Sequence, residues 1–415
     1  MSILTSITCA WLSRSVQPFT FTADYDRALD FDGEESLGLY VHIPFCRTIC
    51  DFCPYCKQTY DRAVCSGYID RLIAEIHLVC AGHPRRTATS LYFGGGSPAL
   101  AADRLGEIIA ALRAHFDITD GIGAELHPAD VTVPVLTRLR DAGVTRICVG
   151  VQSFLPKFQQ LLGRAPVDVR ALKAALSAVK FETVSMDFIF ALPGQTIDDL
   201  AADLEAALDA GANHVAVYPF IDFTFTQTRL KPMKKAARRR LLDALTDWCD
   251  NRGLTRDSIW TFGTGGAKYS SMTRENFLGF GCSATTLLRG QFKVNTFDVD
   301  AYCARIDAGE LPTALTIRFT ERQRMVYWLF WTAYSTRVDA RDFERFFGKP
   351  LRRMYGAELA LAKALGFVRE ADGIVSMTKK GAFYYHYYER FYTLAYIDKM
   401  WSLLRHTPFP EGMTL

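Results

Sequence analysis

Leu37-Gly-Leu-Tyr-Val-His-Ile43 reads as a β-strand, and Pro44-Phe-Cys46-Arg-Thr-Ile-Cys50-Asp-Phe-Cys53-Pro-Tyr-Cys56 follows it as an irregular loop. The strand-then-loop unit recurs along the chain. Further strands are expected at Ser90-Leu-Tyr-Phe93, Ala124-Glu-Leu-His127, Arg146-Ile-Cys-Val-Gly150, Val184-Ser-Met-Asp-Phe-Ile-Phe190 and His214-Val-Ala-Val-Tyr218. Between them, apolar residues at spacings of three and four predict helices over 68–81, 102–115, 132–142, 169–179 and 196–210. Two of these helices stop at glycine, in Asp141-Ala-Gly143 and Asp209-Ala-Gly211. Six such units imply a parallel sheet with helical crossovers. A doubly wound sheet and a barrel both fit the alternation. Six units are too few for an eight-strand barrel, so an open partial (β/α)6 barrel is expected. In either fold, ligands meet the loops at the C-terminal strand ends.

The chain divides into an N-terminal extension (1–36), the partial barrel (37–230), a closing segment (231–318) and a C-terminal unit (319–415). In the last, helices at 321–333, 341–347 and 351–365 precede two apolar runs joined by Asp372-Gly373, a hairpin signal. Three helices and a hairpin form a winged-helix-like appendage. It is aromatic rather than strongly basic, which favours a structural or lid role over DNA binding.

Composition narrows the function. With 415 residues, 49% hydrophobic, the chain can bury a large core, and its net charge of +3 gives no overall pull toward nucleic acid. No stretch reaches the ~20 apolar residues of a membrane span. The start lacks a basic n-region and a small-residue cleavage site, so no signal peptide is expected. The eleven cysteines are an odd number in a large chain, which argues against a disulfide framework and for reduced thiols in the cytoplasm.

Four of those cysteines, Cys46, Cys50, Cys53 and Cys56, fall in one loop. Three thiolates on a wrapping loop suit a cubane iron–sulfur cluster. Four would suit zinc, and Cys53-Pro-Tyr-Cys56 would suit a redox dithiol. Idle thiols are the plain alternative. Spacing alone leaves these open.

A three-cysteine loop after the first barrel strand, with Phe52 just before the third cysteine, resembles the radical SAM superfamily. The resemblance implies a [4Fe–4S] cluster on Cys46, Cys50 and Cys53, with one iron open to S-adenosylmethionine (SAM). Tyr40-Val-His-Ile-Pro-Phe-Cys46 and Tyr92-Phe-Gly-Gly-Gly-Ser-Pro98 resemble the oxygen-independent coproporphyrinogen oxidase (HemN-like) group. So do Glu125-Leu-His-Pro128, Gly150-Val-Gln-Ser-Phe154 and Met186-Asp-Phe-Ile-Phe-Ala-Leu-Pro-Gly-Gln-Thr196, in family order. The resemblance implies that Gly94, Gly95, Gly96 and Ser97 approach SAM closely, with Tyr40 and Phe52 beside it. It further implies that Glu125, Gln152, Arg164 and Asp187 hold its charged or ribose groups. Thr196 alone could simply cap a helix.

Within that group, departures direct the expectation. The segment from Lys268 to Ala284 lacks the histidine motif of the haem chaperones, and only 45 residues precede Cys46. Residues 270–275 and Asn295-Thr-Phe297 resemble the class C methyltransferase and cyclopropanase branch. This branch implies two SAM molecules and one-carbon transfer to an sp² carbon of an aromatic acceptor. A HemN-like tetrapyrrole enzyme (oxidative decarboxylation or anaerobic haem opening) and a non-catalytic cluster or zinc carrier are the alternatives. Glu275, Tyr269 and Asp222 are the candidate proton acceptors, and Cys282 is expected near the second SAM. The Tyr218–Phe225 stretch is expected at the barrel mouth, with Trp260, Phe262 and Tyr269 closing over it. Tyr384-Tyr-His-Tyr-Tyr388 is expected to pack on the barrel. A basic run, residues 231–240, is a solvated helix face or a contact for an acidic electron donor such as flavodoxin or ferredoxin. A monomer is expected.

Overall fold

The structure is a computed structural model and describes residues 12, 19–23, 29–264 and 275–415. Tyr269 and the 270–274 stretch lie outside the described residues. Six parallel strands form the centre: β1 (Gly38–Ile43), β2 (Ser90–Gly95), β3 (Ile122–Leu126), β4 (Arg146–Gln152), β5 (Thr183–Phe190) and β6 (His214–Pro219). They lie side by side in chain order, each hydrogen-bonded to the next. Winding in one direction without reversal is the barrel arrangement; a doubly wound sheet would reverse at a switch point. The barrel alternative therefore holds.

The crossovers are helices α1 (Arg62–Cys80), α2 (Leu105–Arg113), α3 (Val133–Asp141), α4 (Val169–Ala178) and α5 (Ile197–Asp209). Thr196 caps α5 in a reciprocal capping box with Asp199. Gly143 and Gly211 follow α3 and α5 at φ of 102° and 106°, a conformation that favours glycine.

The sheet extends beyond the barrel on both sides. β7 (Thr261–Gly263) pairs antiparallel with β6. On the other side β8 (Phe277–Phe280) pairs parallel with β1. Then β9 (Thr285–Leu287), β10 (Gln291–Asn295) and β11 (Thr313–Arg318) continue it antiparallel. Thr255–Arg256, paired antiparallel with β7, and the short strands Thr20–Thr22 and Gly412–Thr414 complete a single sheet of 14 strands. Its order is linear, so the barrel is open.

Helix α6 (Lys235–Asn251) covers the β6 side, and α7 (Val299–Asp307) packs on α1. Beyond residue 319 come α8 (Glu321–Ala333), α9 (Ala340–Phe347) and α10 (Leu351–Ala364). Strands Val368–Ala371 and Ile374–Met377 form the expected hairpin, with Asp372 and Gly373 both at positive φ. These elements have their own core around Met325, Trp328, Phe343, Phe346 and Tyr355. The last helices, α11 (Lys379–Tyr392) and α12 (Asp398–His406), behave differently: Phe383, Met400 and Leu404 join the main core.

Among the described residues no helix is long and apolar enough to cross a membrane.

Candidate active site at the open strand ends

The loop after β1 carries Cys46, Cys50 and Cys53, each partly exposed and free. It is held to the loop after β2 by backbone hydrogen bonds, from Gly96 N–H to Ile43 O at 2.8 Å and from Ser97 N–H to Phe45 O at 2.8 Å. That approach explains the glycines. A Cβ at Gly96 would lie 2.2 Å from Phe45 O and 2.8 Å from Cys46 Sγ, and one at Gly95 (φ 127°) would lie 2.5 Å from Ile43 O. A Cβ at Gly94 would meet Tyr40 Oη at 2.8 Å. Gly95 N–H donates to Glu125 Oε2 at 3.1 Å. Ser97 is buried and donates to Asp130 at 2.7 Å, which also accepts from Arg47 at 2.9 Å.

His42 anchors the far end of the thiol loop. Its Nε2 faces the Cys56 carbonyl at 3.0 Å and therefore donates; Nδ1 then accepts from Tyr40 Oη at 3.0 Å. Burial pushes its pKa down to about 4, so it is neutral. Cys56 turns away from the other three thiols. Its Sγ donates to Phe297 O at 3.1 Å and lies 3.7 Å from Cys282 Sγ. Cys282 is fully buried and donates to Thr296 O at 3.1 Å.

Two cations flank the partly exposed thiols. Arg164 Nη1 is 3.4 Å from Cys50 Sγ while Nη2 donates to Gly150 O at 2.7 Å. Lys57 Nζ donates to Cys53 O at 2.5 Å. Burial, and then the neighbouring Cys53, push the Cys46 thiol up to about 12, so a metal must displace its proton. Among the described residues, no three His, Cys, Asp or Glu side chains converge as tightly as a single metal ion requires. A cubane makes a different demand, because each thiolate binds a different iron. Three accessible thiols on one loop beside two cations therefore suit an iron–sulfur cluster better than a four-thiolate zinc site, which would need Cys56 as well.

The barrel interior is polar at this end. Glu125 accepts from Tyr92 Oη at 3.2 Å, and Asp187 accepts from Cys148 Sγ at 3.0 Å. Burial first, then the Asp187 charge, push Glu125 up to about 7; burial pushes Asp187 up to about 6. Tyr55 and Tyr218 keep 54% and 36% of their surface exposed, while desolvation first, and the Asp187 charge to a lesser degree, push both phenols up. Gln152, at the end of β4, adopts φ 72°, a strained conformation for a side-chain-bearing residue. Cys148 was not expected here. It occupies the same alternating face of β4 as Gly150 and Gln152, and that period of two was the available signal.

The structure thus brings together Tyr40, Gly94–Gly96, Glu125, Arg164, Asp187 and the three loop thiols. Phe52 joins a side cluster with Phe158, Leu162 and Ile189, beside a cleft of about 300 Å³ that Arg229 also lines. Asp222 pairs with Lys231 at 3.2 Å on the loop after β6. Glu275 is elsewhere. It precedes β8, which runs parallel to β1, so it sits at the opposite end of the sheet, paired with Arg345 at 2.5 Å. Cys282 lies behind the thiol loop rather than in the barrel interior. Asn295 is buried, donating to Glu75 at 2.9 Å, and Phe297 is part of the core. Trp260 and Phe262 are core residues of the sheet, not a cover.

Sequence reasoning missed the part played by α12. Asp398 accepts from Thr224 N–H and Oγ1, both at 2.7 Å, and Trp401 packs on Tyr55, Phe223 and Phe297. The Tyr384–Tyr388 stretch packs on the barrel as expected, through His386 against Trp260 and Phe190 of β5, and it also meets the basic run. Lys235 Nζ is 3.7 Å from the Tyr387 ring centroid, and Arg239 stacks over Phe383.

Six parallel strands carrying a thiol loop after the first and a glycine loop after the second define the radical SAM fold, and the sequence model described as Radical SAM superfamily matches residues 40–207. This part of the chain is similar to radical SAM domains, and a [4Fe–4S] cluster and SAM are the cofactors that similarity would bring. Its relatives are HemN-like. The chain is 29% identical over 279 residues to the "Heme chaperone HemW" of Mycobacterium tuberculosis, covering 58% of this chain and 71% of the relative. It is 26% identical over 309 residues to the "Oxygen-independent coproporphyrinogen III oxidase" of Pseudomonas aeruginosa, covering 66% of each. The "Anaerobilin synthase" of Escherichia coli O157:H7 is 29% identical over 303 residues, covering 68% of each. The solved coproporphyrinogen III oxidase (HemN) of Escherichia coli superposes with a TM-score of 0.73 at 22% identity, covering 89% of this chain and 91% of that one. These relatives overturn the expectation of class C one-carbon transfer. The resemblance of residues 270–275 and Asn295–Phe297 to that branch is a short local match, whereas the similarity over 58–68% of the chain runs to proteins named for haem, coproporphyrinogen and anaerobilin.

Proposed function

We propose that this chain is a radical SAM enzyme that acts oxidatively on a tetrapyrrole. The observation that carries the reading is the polar, tyrosine-lined barrel interior directly beneath three flanked thiols, in a chain whose relatives are named for haem and coproporphyrinogen. Cys46, Cys50 and Cys53 would hold the cluster. When bound, it supplies the electron that cleaves SAM reductively. Arg164 would steady Cys50 and meet an anionic group of SAM; ionised Glu125 and Asp187 would meet cationic ones. Tyr55, Tyr218 and Trp401 would offer aromatic faces to a flat macrocycle at the mouth. A one-electron reductant such as flavodoxin or ferredoxin is the partner this chemistry requires.

The test is anaerobic reconstitution followed by turnover with coproporphyrinogen or haem. Iron and sulfide near four each, a Soret shift on adding the tetrapyrrole, and 5′-deoxyadenosine formed only with it present are expected. Cys50→Ala should abolish SAM cleavage. S-adenosylhomocysteine, the product of methyl donation, should not accumulate. Binding of haem without any SAM cleavage would favour a carrier over an enzyme.

A further inference from the structure

Helix α12 returns to the thiol loop from the far end of the chain. Arg405 Nη2 donates to the Pro54 carbonyl, across 351 residues of sequence. Its guanidinium carbon lies 4.6 Å from the Phe225 ring centroid and 5.6 Å from that of Phe297. The side chain is half-buried, and Nε is buried with no hydrogen-bond partner among the described residues. Nor does any described carboxylate form an ion pair with Arg405, whereas Arg104, Arg146 and Arg345 each have at least two. A guanidinium whose Nε is cut off from water is costly to keep there unless an anion lies close by. The carbonyl that Arg405 holds belongs to Pro54, the residue directly after Cys53 and two before Cys56. Aromatic faces and one carbonyl do not neutralise a full charge, so the site is built for a negative group on the thiol loop.

We propose that Arg405 is a further counter-charge of the iron–sulfur cluster, beside Arg164 and Lys57, and raises its reduction potential, an inference that rests on the cluster assignment above. Reduction adds one electron to an already anionic cluster–thiolate assembly. A fixed cation nearby stabilises the reduced form more than the oxidised one and raises the potential. Arg405 is thus a positioning residue, brought to the cluster by the same helix that Asp398 ties to the loop after β6.

The experiment compares wild type, Arg405→Met and Arg405→Lys, each reconstituted anaerobically and titrated redox-potentiometrically with detection of the reduced cluster by electron paramagnetic resonance. Arg405→Met should keep its iron and sulfide and titrate at a more negative midpoint, while Arg405→Lys should stay near wild type. An unchanged midpoint in Arg405→Met would overturn the proposal. If Arg405→Met takes up less iron, full loading and a wild-type midpoint in Arg405→Lys support it. Equal loss of iron in both variants would make Arg405 a packing residue and overturn it. Wild-type protein that binds no iron would instead sink the cluster assignment, and this inference with it.

Discussion

A methyl group at Gly96 would occupy space already held by the Phe45 carbonyl and the Cys46 sulfur. Gly96→Ala should therefore push the two loops apart, at a cost of about 1–3 kcal/mol. Colorimetric iron analysis after reconstitution should show a large loss. Glu125 makes a prediction about pH. Its folded pKa is raised from 4.5 to about 7, so folding takes up a proton between those values. Its contribution to stability is fully present below pH 4.5 and is lost as pH rises through about 7. Without SAM, the melting temperature should fall with rising pH in that window, and Glu125→Gln should flatten the slope. At neutral pH the same variant should weaken SAM binding roughly tenfold, the loss of one charge-assisted contact, measured by equilibrium dialysis. At this scale the sequence was legible where strand ends carry motif residues: Glu125, Arg164 and Asp187 come to one end of the barrel. Glu275 did not, because the direction of β8 is set by its pairing with β1, more than two hundred residues earlier, and no local pattern records that.

Helices and strands of the first half were legible because each buries its own apolar face, so periodicity reports them directly. The Asp372-Gly373 hairpin was legible for another reason: two consecutive positive φ values demand those residue types. The role of α12 was not legible. Its contacts are single side chains reaching distant loops, which leave no periodic trace. Asp398 is buried and accepts two hydrogen bonds from Thr224. Asp398→Ala should cost about 1–3 kcal/mol, because it removes two hydrogen bonds to a carboxylate that tie α12 to the loop after β6. Denaturant unfolding would measure that cost, and increased proteolysis within α12 should accompany it.

Across the whole molecule, two cores coexist. The smaller is built on Trp328, stacked among Phe343, Phe346 and Phe347. Trp328→Ala should cost about 3–5 kcal/mol. Calorimetry should then show an earlier transition for that unit, while the cluster's visible absorption is retained. The main core, in contrast, closes only when α11 and α12 dock on the barrel. The protein is synthesised from the N-terminus, and domains generally begin to fold in that order. The thiol loop therefore emerges hundreds of residues before the helix that covers it. Because the three thiols stay partly exposed in the finished fold, the loop can still be loaded afterwards, but the Arg405 contact to Pro54 forms only once nearly the whole chain has been made.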